Sequence, residues 1–406
     1  MITKYLKYLD LPLLGIILCL ALISCFSIAS ADPLITANSY AYEYLFKQVL
    51  WYGISFLFVF FIYYIESERI YQMIWYLYII VTILLFALAL QQKLIDFKII
   101  AVNQSFIPFA KNINGATCWY VINGIGSFQP SEFMKIILII LLSNIIHKHN
   151  LNVVHSFVTD LILIIKVSII TLIPCLFIYL QNDAGVTIII LASMIFMLFG
   201  ANIDKKWFII MFLLVFAVIF VMIYLYLNHP NIFFLFIKEY RLHRFYGWLA
   251  PEKNYHQYGY QLFNALLSYG SAGLFGHGFQ SVRMPFPEPQ TDFIFAVILQ
   301  SIGLIGGIIV ILLIIGLDIR VLQIGAKARQ KKHYYLSFGI FGLLIFQQAW
   351  NISMILGLLP ITGITLPFIS YGGSSLLSYM LVIGMLLDIE KHNKEYYDKI
   401  AKYTKR

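Results

Sequence analysis

Ten long apolar runs constrain this chain more than any other feature of its sequence. Each run is long enough, or nearly so, to cross a hydrocarbon layer of about 30 Å as a helix. Hydrophobic residues make up 61% of the 406 residues and charged residues only 12%, which is more apolar surface than a soluble core needs. We therefore predict an all-α integral membrane protein with ten transmembrane helices, near residues 11–31, 47–65, 70–90, 129–146, 162–180, 185–201, 207–228, 291–317, 334–357 and 366–387.

The distribution of Lys and Arg predicts the orientation of these helices. The loops on the side of the N-terminus carry more Lys and Arg than the opposite loops, most clearly in residues 318–333 and in the basic tail 388–406. The positive-inside rule then places both termini in the cytoplasm. Basic loops that face anionic lipid account for the net charge of +9, so no nucleic-acid partner is needed. We expect a single membrane domain over residues 1–406, with a large extracytoplasmic loop at residues 229–290 between the seventh and eighth helices.

The end of this long loop carries the first candidate for a functional residue. Asp292 lies where the polar loop gives way to the eighth apolar run, and a carboxylate at the rim of a membrane span is costly unless it has a role. Partial desolvation would raise its pKa towards the range of a general base. The alternative is that Asp292 caps the N-terminus of the eighth helix. Within the same loop, the apolar residues 233–237 predict a short amphipathic helix in the membrane interface.

Further charged residues form pairs at helical spacing. Glu132 and Lys135 are spaced i, i+3, so they can pair on one face of the fourth helix and line a polar cavity, as a structural ion pair or as part of a site. Asp183 could join that network or hold the turn before Gly185. Arg241 and Arg244, also spaced i, i+3, could bind phosphate through two donors each, or contact lipid headgroups.

The sequence contains no recognisable metal or nucleotide motif. The four cysteines and nine histidines show no metal-ligand or disulfide spacing. The glycines at 270, 273, 276 and 278 are not followed by a Lys-Ser or Lys-Thr pair, so they do not form a phosphate-binding loop. We expect them to permit tight turns in a re-entrant loop.

Several motifs taken together resemble a known family. In order along the ten predicted helices they are residues 128–135, 181–187, 259–261, 287–293, 359–363 and 366–375. This set is similar to the SEDS family of RodA, FtsW and SpoVE proteins, and the resemblance covers essentially the whole chain. Residues 10–13 and 351–354 are more similar to the elongation branch, RodA, than to the division branch.

The resemblance implies an enzyme. It implies a peptidoglycan glycosyltransferase that polymerises lipid II at the outer face of the bacterial cytoplasmic membrane, in complex with a class B penicillin-binding protein. The essential Asp of that family corresponds to Asp292. No cofactor is certain, although a divalent cation, Mg or Mn, could bridge the pyrophosphate. The expected substrate-binding residues are Arg241, Arg244, Glu132, Lys135, Gln261, Glu288, Asp183, Ser370 and Tyr371.

The chain departs from the family pattern at several positions. Cys118 stands where the family has Arg, and the pair Gln300-Ser301 replaces two glutamates. Asn182 replaces a proline, and Asn264-Ala265 replaces Gln-Ser. Two other classes of function also suit ten helices with intramembrane charges. One is a flippase for a lipid-linked precursor, and the other is a non-catalytic scaffold for a penicillin-binding protein.

Overall fold

The computed structural model describes residues 7–35, 42–122, 126–154, 156–236, 239–281 and 283–403. Within this described part, nine helices are long and apolar enough to cross a membrane. They are α1 (Leu11–Ala31), α2 (Glu43–Ile65), α3 (Ser67–Asp96), α4 (Pro130–Asn152), α5 (Phe157–Leu180), α7 (Lys205–Asn228), α11 (Ile294–Ala326), α12 (Lys331–Ile355) and α13 (Gly373–Tyr403).

A shorter apolar helix accompanies these nine. Helix α6 (Ala184–Gly200) has 17 residues and coincides with the sixth of the ten predicted runs. At 1.5 Å per residue it is about 26 Å long, slightly less than the hydrocarbon thickness. Each predicted run therefore corresponds to a helix.

Helix α4 lies at the centre of the bundle. It packs against α3, α5, α6, α12 and α13 and buries residues around its whole circumference. Helix α7, in contrast, buries only Trp207. The polar side chains of α4 are therefore surrounded by other helices and must find partners inside the bundle.

The expectation of a purely helical fold was wrong for the segment before α4. Strands β1 (Ala110–Ile113), β2 (Ala116–Ile122) and β3 (Gly126–Phe128) form a small antiparallel sheet in the order β1-β2-β3. Ile113 pairs with Ala116, which leaves Asn114 and Gly115 as a two-residue turn with φ of 51° and 82°. An Asn-Gly pair with positive φ at both positions is a strong hairpin signal, and it is visible in the sequence.

The described part of the long loop before α11 contains three short helices. They are α8 (Pro230–Phe236), α9 (Glu239–Leu249) and α10 (Tyr260–Gly270). Helix α8 confirms a helix over residues 233–236, whereas residue 237 lies outside the described residues. Trp248 Nε1 donates to the carbonyl of Gly357 at 2.8 Å, so α9 is attached to the turn after α12.

A kink in α11 receives the glycine-rich segment of this loop. Gly303 has a φ of 75°, and a Cβ there would lie 2.4 Å from the carbonyl oxygen of Leu274. The amide of Gly278 donates to the carbonyl of Ser301 at 3.1 Å, and the amide of Leu304 donates to the carbonyl of Gly273 at 3.0 Å. The loop backbone thus replaces hydrogen bonds that the helix loses at its kink. This contact requires glycine, which agrees with the predicted tight turns.

Two helices begin later than the apolar runs suggested. Helix α11 begins at Ile294 rather than 291, and α13 begins at Gly373 rather than 366. In both cases the preceding residues form turns, and they hydrogen-bond to each other, from Ser370 Oγ to the carbonyl of Thr291 and from the amide of Tyr371 to the carbonyl of Gln290. These two turns contact each other and form the candidate site.

Candidate functional site

Asp292 lies in a turn just before α11. Its side chain is buried, with 8% of its surface exposed, and Oδ1 accepts a hydrogen bond from Thr291 Oγ1 at 3.2 Å. The N-cap of α11 is Phe293, and no side chain caps the helix there. The alternative interpretation of Asp292 as a helix cap is therefore wrong.

The electrostatic surroundings of Asp292 favour its protonated form. Burial raises the pKa of Asp292 to about 7, and the nearby charge of Glu288 acts in the same direction. The Thr291 hydroxyl and the charge of Arg244 on α9 lower the pKa, but by less. A carboxyl with a pKa near neutrality can both take up and release a proton at physiological pH.

The turn before α13 supports the backbone around Asp292. Ser370 Oγ donates to the carbonyl of Thr291 at 2.7 Å, and the amide of Tyr371 donates to the carbonyl of Gln290 at 2.9 Å. Ser370 Oγ also accepts from the amide of Leu366 at 2.8 Å. We predicted Ser370 and Tyr371 as substrate contacts, and the structure shows that they hold the segment that carries Asp292.

Asn351 contributes a second support that the sequence reasoning did not identify. This residue is fully buried on α12, and its Nδ2 donates to the carbonyl of Asp292 at 2.8 Å and to that of Ile364 at 2.6 Å. One side chain therefore joins the Asp292 turn to the loop at residues 356–366. The sequence did indicate such a role, because a polar side chain within an apolar membrane helix requires hydrogen-bond partners.

The loop at residues 356–366 passes close to both Asp292 and Asp183. Gly363 has a φ of 75°, and a Cβ there would lie 4.0 Å from Asp292 Oδ2. A Cβ at Gly185 would lie 3.5 Å from the carbonyl oxygen of Thr362 and 3.9 Å from Asp183 Oδ1. Both carboxylates thus lie close to the adjacent loop residues Thr362 and Gly363.

Asp183 combines the two roles that the sequence left open. It caps α6, because Oδ1 accepts from the amide of Val186 at 3.1 Å, and Oδ2 accepts from Gln129 Nε2 at 3.2 Å. Burial raises the pKa of Asp183 to about 6, and the charges of Glu132 and Lys135 also reach it. Asp183 therefore holds the turn and belongs to the electrostatic surroundings of the α4 ion pair.

The predicted pairing of Glu132 and Lys135 is confirmed. Lys135 Nζ lies 2.9 Å from Glu132 Oε2 and donates to the Tyr379 hydroxyl at 3.0 Å. The Tyr379 hydroxyl donates to Gln347 Oε1 at 2.6 Å, and Gln347 Nε2 donates to the carbonyl of Thr365 at 2.9 Å. A continuous chain of polar contacts therefore connects the ion pair to the loop beside Asp292.

The remaining predicted substrate contacts lie in the long loop before α11. Arg244 is exposed on α9, and its charge acts on Asp292. Arg241 lies on the same helix, but its side chain is outside the described residues. Gln261 Nε2 donates to the carbonyl of Pro287 at 3.1 Å. The Glu288 carboxylate is exposed and accepts from Thr291 Oγ1 at 3.0 Å.

The residues at which this chain departs from the family pattern fit their local surroundings. Cys118 is buried on β2, and its Sγ donates to the carbonyl of Gln181 at 3.6 Å. Gln300 Oε1 accepts from Ser268 Oγ at 2.6 Å. Asn182 has a φ of 69°, a conformation that the fixed ring of proline could not adopt. At Cys118 and Gln300, an uncharged hydrogen-bonding side chain thus stands where the family has a charged one.

Comparison with known proteins identifies the family. Residues 9–395 match the FtsW/RodA/SpoVE family, described as cell cycle proteins. The chain belongs to this family. It is 33% identical to stage V sporulation protein E of Bacillus subtilis over 69% of this chain and 73% of that protein. It is 35% identical to the probable peptidoglycan glycosyltransferase FtsW of Francisella salina over 71% of this chain and 69% of that protein.

Solved structures show the same fold. One is described as "Structural coordination of polymerization and crosslinking by a peptidoglycan synthase complex"; the match has a TM-score of 0.71 at 22% identity and covers 95% of this chain and 98% of that one. The rod shape determining protein RodA of Thermus thermophilus has a TM-score of 0.62 at 21% identity, with 95% and 97% covered. Together with the nine candidate spans among the described residues, the family makes this chain a multi-pass protein of the bacterial cytoplasmic membrane.

Proposed function

We propose that this chain is a peptidoglycan glycosyltransferase that polymerises lipid II into glycan strands at the outer face of the cytoplasmic membrane. The observation that carries the proposal is the buried Asp292 carboxyl, whose turn is held from two sides by Asn351 and Ser370. A fixed carboxyl with a pKa of about 7 suits a general base. Relatives of this chain are named as probable enzymes of this class.

Asp292 acts as the base in an inverting transfer. It removes the proton from the acceptor sugar hydroxyl while that oxygen attacks the anomeric carbon of the donor. The bond between that carbon and the pyrophosphate oxygen breaks, and undecaprenyl pyrophosphate leaves. Because pyrophosphate is a good leaving group without protonation, one base suffices for the reaction.

The residues around Asp292 contribute to substrate binding in different ways. Arg244, and with it Arg241, binds the pyrophosphate, because a guanidinium group offers paired donors to phosphate oxygens. Gln261 and Glu288 line the outer rim of the site. The network of Glu132, Lys135 and Asp183 shapes the inner side, where buried charges keep the cavity polar. Ser370 and Tyr371 act through the backbone that they hold.

We propose the complete topology as ten membrane spans. Helix α6 completes the ten, since it connects α5 to α7 in the chain and packs against α5 and α12. Both termini are cytoplasmic, and the loop at residues 229–290 is extracytoplasmic. Asp292 then lies at the outer end of α11, on the side where lipid II presents its sugars.

The partner is a class B penicillin-binding protein, whose transpeptidase joins the strands that this chain produces. Support comes from the structural likeness to a subunit of a peptidoglycan synthase complex.

Within the described residues, no group of three or more His, Cys, Asp or Glu side chains is placed to hold a metal ion. A divalent cation, Mg or Mn, would accompany the pyrophosphate of the substrate.

We assign the enzyme to cell elongation, on the similarity of residues 10–13 and 351–354 to RodA. Asp10 and Asn351 in these segments are both fully buried. A division enzyme of the FtsW type is the second candidate, because several curated relatives at 33–35% identity are named FtsW. Depletion of the chain in cells separates the two, since loss of elongation gives round cells and loss of division gives filaments.

Glycan polymerisation from labelled lipid II tests the enzyme directly. The purified chain is assayed with its penicillin-binding protein, whose transpeptidase is blocked, and wild type is compared with Asp292→Asn. We expect polymer from wild type and none from a variant that still assembles with its partner. Equal product from both would remove Asp292 from the mechanism. No product from either would favour a flippase or a scaffold, and a lipid II translocation assay in vesicles then separates these.

A further inference from the structure

The hydroxyl group of Thr291 lies between two carboxylates. Thr291 Oγ1 is 3.2 Å from Asp292 Oδ1 and 3.0 Å from Glu288 Oε2. A hydroxyl group has one proton to donate and two lone pairs with which to accept. It can satisfy both carboxyl groups at once only if one of them is protonated and donates to Thr291. The geometry therefore suits the passage of a proton between the two carboxyl groups through this hydroxyl group.

The backbone fixes the Thr291 hydroxyl in this position. The amide of Thr291 donates to the carbonyl of Glu288 at 3.3 Å, and its own carbonyl accepts from Ser370 Oγ at 2.7 Å. Glu288 has a φ of 54°, a conformation that is uncommon for a residue with a side chain. Gln290 Nε2 also donates to Glu288 Oε2 at 3.3 Å. The turn thus holds both carboxylates on the same hydroxyl group.

Exposure to solvent increases from Asp292 through Thr291 to Glu288. Asp292 is buried, Thr291 is half-buried and Glu288 is exposed. A buried general base that has accepted a proton must lose it before the next sugar can be added. The Thr291 hydroxyl is the group that connects the buried carboxyl to one in contact with water.

We propose that Thr291 and Glu288 form the exit route for the proton that Asp292 removes from the acceptor sugar. The inference rests on the proposed function. When the new glycosidic bond has formed and the polyprenyl pyrophosphate has left, the protonated Asp292 donates its proton to Thr291 Oγ1. Thr291 passes its own hydroxyl proton to Glu288, and Glu288 releases it to water. Asp292 returns to the carboxylate form, and no other reactant is needed.

Two charged groups face Asp292 and set the pH at which this route operates. Glu288, from the same turn, raises the pKa of Asp292, and Arg244 from α9 lowers it. The Thr291 hydroxyl lowers it as well. A base is active when deprotonated, so activity is lost as the pH falls through the pKa of Asp292. Glu288→Gln should then move this acidic limb to lower pH, and Thr291→Val should move it to higher pH.

The experiment compares four variants of the full chain in complex with its penicillin-binding protein, whose transpeptidase is blocked. Thr291→Val keeps the shape of the side chain without the hydroxyl, and Thr291→Ser keeps the hydroxyl. The others are Glu288→Gln and the double variant Thr291→Val with Glu288→Gln. Initial rates of lipid II polymerisation are measured against pH and substrate concentration, and assembly with the partner serves as the control for folding.

We expect Thr291→Val and Glu288→Gln each to lower kcat about tenfold, an effect larger than any change in KM. Thr291→Ser should retain most of the rate. The double variant should be no slower than the slower single variant, because the two residues serve one route. The acidic limbs of the two single variants should move in opposite directions.

Two results would overturn the relay. One is a wild-type kcat for both Thr291→Val and Glu288→Gln, and the other is a Thr291→Ser variant as slow as Thr291→Val, which would indicate packing. Asp292→Asn, measured in parallel, keeps this failure distinct from failure of the proposed function. An active Asp292→Asn variant would reject Asp292 as the base. An inactive Asp292→Asn variant together with fully active Thr291→Val and Glu288→Gln variants would reject only the relay. If Thr291→Val does not assemble with the penicillin-binding protein, the test rests on Glu288→Gln, whose changed residue is exposed. An unchanged kcat and an acidic limb at the wild-type pH in that variant would reject the route.

Discussion

Asn351 Nδ2 donates a hydrogen bond to the backbone carbonyl of Asp292 at 2.8 Å, from a position that is fully buried. The same nitrogen donates to the carbonyl of Ile364 at 2.6 Å. A side chain on α12 therefore fixes the position of a residue that precedes α11. The catalytic candidate depends on this contact for its placement, even though Asn351 does not touch the carboxyl group itself.

Replacing Asn351 with Ala should displace Asp292. The change leaves two buried carbonyls without donors, at about 1–3 kcal/mol each, and frees the turn to move. We expect kcat for lipid II polymerisation to fall about a hundredfold or more, since a displacement of about 1 Å can have that effect. Asn393→Ala is the control, because Asn393 is also buried and donates to the carbonyl of Ile324. Comparable losses of activity in the two variants would count against the positioning role.

Neutralising Arg244 should change the pH dependence of the enzyme. The charge of Arg244 lowers the pKa of Asp292, which burial has raised to about 7. Arg244→Gln should therefore raise that pKa, so that the acidic limb of kcat/KM moves to higher pH and the enzyme is slower at pH 7. Lys253→Gln changes the charge of the same loop by the same amount and should leave the limb in place. A limb that does not move with Arg244→Gln would contradict the electrostatic contact.

Gly363 should tolerate no side chain. Its φ of 75° costs an L-residue about 1–2 kcal/mol, and a Cβ would lie 4.0 Å from Asp292 Oδ2, where the acceptor sugar must approach. Gly357 has a φ of 74° and a Cβ there would meet only Leu266. We expect similar losses of thermal stability from Gly363→Ala and Gly357→Ala, with a much larger loss of polymerisation in Gly363→Ala. Equal activity in both would show that the site has more room than the structure indicates.

Removing Lys135 should destabilise the whole bundle. Lys135→Met leaves Glu132 without its partner inside the protein, and breaking a buried pair costs about 3–5 kcal/mol. The double variant Glu132→Gln with Lys135→Met should recover much of the stability, which a thermal melt in detergent measures. Lys166→Met is the control, because Lys166 is exposed on α5 and should have little effect. A double variant that is stable but inactive would assign the pair to the substrate, and a stable, active one would make it structural.

The sequence determined the membrane character of the chain. Ten apolar runs correspond to ten helices in position, because the hydrophobic length of a span is a property of consecutive residues and needs no tertiary information. The motif around Asp292 and the spacing of Glu132 and Lys135 were also sufficient to predict a buried ion pair and a candidate base. The small sheet at residues 110–128 was missed, although the Asn114-Gly115 turn indicated it.

Only the tertiary structure decided how the predicted residues combine. Glu132 and Asp292 are 160 positions apart by number, yet Lys135, Tyr379, Gln347 and the carbonyl of Thr365 connect the ion pair to the loop beside Asp292. The roles of Asn351 and Ser370 as supports also depend on which helices are neighbours. Hydrogen bonds between distant residues follow from packing, and packing inside a membrane depends on the shape of many side chains at once. Apolar length fixes where a span lies along the chain, while shape decides which residues meet.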